Sequence, residues 1–126
     1  MAFNLSIVEQ MILDIGPAAF CRLARLFVEE TVGEVATMEA LAGSLQATTA
    51  DCRELGRRAH SLKNAAGSFG LAGLAQAARK VERACDSNDV AAALPATAAL
   101  RAAGDMEMPD LLDLIARTSA AANAQE

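Results

Sequence analysis

Apolar positions recur at helical spacing along almost the whole chain. Leu55, Ala59, Leu62, Ala66 and Phe69 lie four, three, four and three residues apart, the stripe of a core-facing helix. Leu71, Leu74, Ala78, Val81 and Cys85 repeat that spacing and predict an antiparallel partner helix. Upstream, Phe20, Leu23, Phe27, Thr31, Val35, Met38, Leu41 and Leu45 mark one face of a long helix. Gly16-Pro17 opens it, because Pro at a first helical position loses no hydrogen bond. Val28 and Val32 lie to one side of that stripe. Ser6-Ile7-Val8-Glu9 has the form of a capping box and predicts a short helix over about 6–14.

Polar punctuation divides the rest. Thr48 or Thr49 is placed to cap the second long helix, with Asp51 near its positive end. Gly70 suits the left-handed residue that closes it. Asp86-Ser87-Asn88-Asp89 is turn and cap chemistry. Val90, Ala93, Leu94, Thr97 and Leu100 predict a helix to about Ala103, kinked at Pro95. Gly104-Asp105 reads as a break. Pro109 then opens a last helix, over about 108–122, carrying Met108, Leu111, Leu112 and Ile115 and fraying in its alanine-rich end. The expectation is all-α: one domain over 1–126, an up-down four-helix bundle over about 17–103, with additional short N-terminal and C-terminal helices.

Composition supports that class. Hydrophobic residues make up 53% but aromatics only 3%, so the apolar content is Ala, Leu, Val and Met, which pack helices closely. A net charge of −5 excludes a domain that binds nucleic acid through phosphate contacts. Cys21, Cys52 and Cys85 are odd in number and far apart, which reads as free thiols in a reducing compartment. The N-terminus lacks a signal pattern and no apolar run reaches bilayer length, so the expectation is a soluble, cytoplasmic, monomeric chain without membrane contact.

Against the acidic background, Arg53, Arg57, Arg58 and Lys63 cluster around His60, the only histidine. At about 100° per residue, His60 lies roughly 140° from the centre of the apolar stripe, so its imidazole faces solvent. Its neighbours on that strip are Arg53, Gly56, Arg57, Lys63, Asn64 and Gly67, all cations or small residues. One histidine without Cys, Asp or Glu one turn away is no metal site. No Ser or Cys pairs with a second base, no carboxylate stands near His60 in sequence, and no glycine loop follows a strand. Hydrolysis and ATP-dependent kinase chemistry are excluded. What remains is chemistry carried by the histidine itself. A neutral imidazole is a nucleophile toward a reactive phosphoryl group, nearby cations disfavour its protonation, and Lys63 can pair with the phosphoryl oxygens.

Ala59-His60-Ser61-Leu62-Lys63, then Ala65-Ala66, Phe69-Gly70, Leu74 and Val81-Glu82 resemble the histidine-containing phosphotransfer (HPt) domain family. The motif runs from Ala59 to Glu82, and the helices on either side fit the family's bundle. The resemblance implies a phosphocarrier, not an enzyme, in a two-component phosphorelay. His60 would exchange a phosphoryl group with the aspartate of response-regulator receiver domains, including those of hybrid histidine kinases. Lys63 would be the phosphate-stabilising lysine. Asn64 stands where the family usually has Gly, and either narrows the approach of receivers or donates a hydrogen bond to the phosphoryl group. Arg53, Gly56, Arg57, Gly67, Val28 and Val32 are the expected docking face. No cofactor is expected in this chain, Mg²⁺ coming from the receiver. The rival reading is a non-phosphorylated helical adaptor that tethers or inhibits a receiver or kinase.

Overall fold

A computed structural model describes residues 3–44 and 49–124. Among them are five helices: α1 (Leu5–Ile15), α2 (Pro17–Gly43), α3 (Thr49–Ser68), α4 (Ala72–Asp86) and α5 (Val90–Ala124). Helix α3 packs on α4, α4 on α5, α5 on α2 and α2 on α3, closing a four-helix ring, while α1 packs on α2. No helix in the described residues is long and apolar enough to cross a membrane. The all-α bundle is as the periodicity predicts. Leu45 and the side chains of Thr48, Thr49 and Asp51 lie outside what is described.

The stripes of α3 and α4 are buried as expected: Leu55, Ala59, Leu62 and Ala66 on one helix, Leu74, Ala78, Val81 and Cys85 on the other. In α2 the buried row is Phe20, Ala24, Phe27, Thr31, Val35, Met38 and Ala42, and Leu23 is 49% exposed. The smaller Ala24 takes the core position because it lies at the stripe's centre, whereas Leu23 lies at its edge. Phe27 stacks on Phe69, the first residue after α3, with ring centroids 4.6 Å apart.

Two predicted boundaries differ. Helix α1 starts at Leu5 behind Asn4, and Ser6 Oγ donates to Asn4 Oδ1 at 2.8 Å, so the Ser6–Glu9 capping box does not form. At the other end no break occurs at Gly104-Asp105: α5 runs unbroken through Pro95, Gly104 and Pro109 to Ala124, so 108–122 is no separate helix and its alanine-rich end is helical. Burial explains the continuity. Leu100, Glu107, Leu111, Leu114 and Ile115 continue one inward row across the predicted break. A mid-helix Gly costs about 1 kcal/mol and a Pro about 3 kcal/mol, which burial of several large side chains offsets. Leu94 and Leu112, expected inward, are 44% and 47% exposed.

The turns hold the fold in register. Asp89 Oδ1 accepts the Ala92 N–H at 3.1 Å and caps α5, as its turn chemistry predicts. Gly70 ends α3 at φ +74°, and the Leu71 N–H donates to the Ala66 carbonyl at 2.9 Å, closing the helix. An added Cβ at Gly70 would sit 2.5 Å from the Asn4 carbonyl oxygen. Gly70→Ala is therefore expected to destabilise the fold by about 2 kcal/mol, read as a lower urea midpoint with an unchanged slope.

Candidate functional site

Helix α3 carries His60 on its outer side, toward α4, with the imidazole side chain 56% exposed. The facing helix contributes Glu82, whose position follows from packing: Val81 is fully buried, and the next residue turns about 100° away from the core, toward α3. Glu82 Oε2 contacts His60 Nδ1, and Glu82 Oε1 accepts from Lys63 Nζ at 2.7 Å. The carboxylate bridges the histidine and the lysine. Its side chain is only 17% exposed, and the Lys63 ammonium, followed by the imidazole, holds its carboxyl below the usual range against the opposing pull of burial.

This arrangement assigns the tautomer. An ionised carboxylate only accepts, so Nδ1 carries the proton and Nε2 presents its lone pair outward. Asn64 Nδ2 lies 3.4 Å from Nε2, a long contact that leaves that lone pair available. Asn64 thus stands beside Nε2, one turn along α3.

An open pocket of about 740 Å³ adjoins His60, lined by Arg53, Gly56, Arg57, Ser61, Glu82 and Asp86 among others. On the far side of Lys63 a second groove, of about 280 Å³, is lined by Gly67, Ile7 of α1 and Arg79 of α4. Gly67 has open space where a Cβ would be. Gly56 has a different role from the one expected. It is buried, and a Cβ there would lie 3.0 Å from Cys85 Cβ, so its smallness serves the approach of α3 to α4. Arg57 contacts Glu54, and Arg58 reaches Glu34 of α2 at 3.0 Å.

Val28 and Val32 do not join this face. On α2, Glu34 faces α3 through Arg58, while Glu39 faces α5 through Arg101 at 2.6 Å. Val28 and Val32 lie on the Glu39 side by helical angle, and Val32 lines a groove with Leu100 and Met108 of α5. The register of α2 in the ring turns the two valines away from His60.

Sequence reasoning placed only cations and small residues around the histidine. It missed Glu82 as the orienting carboxylate, because that residue lies 22 positions away and reaches His60 only through the α3–α4 packing. Among the described residues no group of three His, Cys, Asp or Glu side chains could hold a metal ion.

No curated protein and no solved structure gives a significant match to the chain. A family model does: the Hpt domain model matches residues 22–121, which include α3, α4 and the His60–Glu82–Lys63 cluster. With four-fifths of its length covered, the chain belongs to the Hpt domain family.

Proposed function

We propose that the protein carries phosphoryl groups on His60 Nε2, receiving them from the aspartyl phosphate of receiver domains and returning them to the aspartate carboxylate of receiver domains. Hpt domains are phosphocarrier modules of phosphorelays that work with receiver domains and histidine kinases. The observation that carries the reading here is the solvent-facing Nε2 of an imidazole whose Nδ1 is held by a mostly buried, lysine-bridged carboxylate.

The lone pair on Nε2 attacks phosphorus in line with the departing carboxylate oxygen, so one N–P bond forms as one P–O bond breaks. The ring gains positive charge in this step, and Glu82, still accepting from Nδ1–H, stabilises it as an orienting carboxylate does in other histidine chemistry. Lys63 then exchanges part of its contact with Glu82 for the phosphoryl oxygens. Asn64 is placed to donate its amide to the same oxygens and to limit which receivers reach Nε2. The Mg²⁺ that neutralises the acyl phosphate belongs to the receiver.

The test is to incubate the protein with a panel of receiver domains carrying labelled aspartyl phosphate. The expected result is label on this chain, as an acid-labile and base-stable phosphoramidate, from at least one receiver. A chain that binds receivers but takes no label from any of them would be an adaptor instead.

A further inference from the structure

Beneath His60 the pocket floor holds two thiols. Cys52 of α3 and Cys85 of α4 both line it, and both are buried, at 1% and 9% exposure. Their helices approach closely at Gly56, where an added Cβ would lie 3.0 Å from Cys85 Cβ. Cys52 is one turn before Gly56, on the same face. Cys52 Sγ donates to the Cys85 carbonyl oxygen at 3.9 Å, which places its sulfur beside the Cys85 main chain. Cys85 in turn lies one turn after Glu82 on α4. The third thiol, Cys21, is elsewhere, against the Ile115 carbonyl between α2 and α5.

We infer that Cys52 and Cys85 are a redox pair, closing under hydroperoxide into a disulfide that clasps α3 to α4 beneath His60. The Gly56 crossing and the Cys52 Sγ contact with the Cys85 carbonyl set the two residues on facing sides of one seam, the placement that a disulfide between them requires. The pocket gives a small peroxide access to the floor. The inference goes beyond phosphotransfer and does not depend on it.

The two thiols have different roles. Burial, with Cys52 beside it, pushes the Cys85 thiol up to about 12, so Cys85 keeps its proton. Cys52 then supplies the attacking sulfur, its proton passing to the oxygen that leaves. Its sulfur takes one peroxide oxygen, forming an S–O bond as the O–O bond breaks and an alcohol or water leaves. Cys85 sulfur next displaces that oxygen. Its thiol proton leaves with the hydroxide as water, and the S–S bond forms. In sum, two thiols and one hydroperoxide give one disulfide, one alcohol (water, from hydrogen peroxide) and one water.

The experiment treats the folded protein with hydrogen peroxide, alkylates it in denaturant, and maps the peptides by mass. Expected is the loss of two hydrogens, one alkylated thiol at Cys21, a Cys52–Cys85 linked peptide, and reversal by dithiothreitol. The thermal midpoint of the oxidised form should rise by about 5 °C or more, because the bond closes a long loop in the unfolded chain. Cys52→Ala and Cys85→Ala should each abolish the mass loss, and Cys21→Ala should retain it. Three alkylated thiols after peroxide, oxygen added at Cys52 without a bond, or a bond that involves Cys21 or a second chain would overturn the pair. A Cys52–Cys85 bond that lowers the midpoint would overturn the clasp. Label transfer to His60 is read separately on the reduced protein, so either reading can fail alone.

Discussion

His60→Gln is expected to take no label from any receiver that labels the wild type, while its unfolding free energy changes by less than about 0.5 kcal/mol. The first half follows from chemistry, because an amide nitrogen has no lone pair that attacks phosphorus. The second follows from position: the imidazole is more than half exposed and His60 is not a member of the buried core. Gln can still donate to Glu82, and Lys63 keeps its own contact with that carboxylate. A variant that lost transfer through unfolding would betray itself in its circular dichroism. Glu82→Ala provides the graded comparison. Nε2 survives there, but nothing fixes the tautomer or offsets the charge that develops on the ring, so transfer should slow by about 10- to 100-fold, the usual cost of removing an orienting partner. Equal rates for Glu82→Ala and wild type would mean that the carboxylate serves only to hold Lys63.

The difference between those two residues also describes what could be read from the chain alone. Exposure of His60 needed only its angle on a single helix, and the regular spacing of Leu55, Ala59, Leu62 and Ala66 fixed that angle. Glu82 needed the relative placement of two helices, which no local pattern contains. A trace of it was present, since Glu82 follows the core residue Val81 in the same motif. The α2 row differs at Leu23 for a related reason: a large apolar side chain does not by itself mark the core, and the centre of the stripe belongs to Ala24. Val28 and Val32 lie toward α5 and away from His60, a placement that an apolar flank alone does not reveal. Gly104 and Pro109 were read by propensity, and burial on both sides of them overrode it.

A second signal lay inside that misread segment. Glu107 falls seven residues after Leu100 and four before Leu111, on the inward row of α5, where a charged residue is unexpected. The structure explains it. Helix α4 begins behind Leu71, a fully buried residue whose side chain cannot cap an amide. Glu107, itself 5% exposed, supplies the missing acceptors from α5. Its Oε2 accepts the Gly73 N–H at 2.9 Å and its Oε1 the Leu74 N–H at 2.6 Å. Gly73 leaves the room, since a Cβ there would lie 2.7 Å from Oε1. A carboxylate at the positive end of a helix, with both oxygens bonded, is a favourable way to bury a charge.

Glu107→Ala should therefore be among the most destabilising single changes in the protein, lowering the unfolding free energy by about 3 kcal/mol. Two buried N–H groups lose their acceptor, each costing about 1–3 kcal/mol, and relief from burying the charge returns part of that. Glu107→Gln keeps one carbonyl oxygen and should lose about half as much. The measurement is urea unfolding followed by circular dichroism, with the slope compared among the three proteins. A loss under about 1 kcal/mol for Glu107→Ala would mean that water or a shift of Leu71 replaces the cap. The consequence reaches the site, because α4 carries Glu82. If the start of α4 loosens, the carboxylate that orients His60 loses its fixed support, and phosphoryl transfer by Glu107→Ala should slow even at urea-free temperatures where the bundle remains folded.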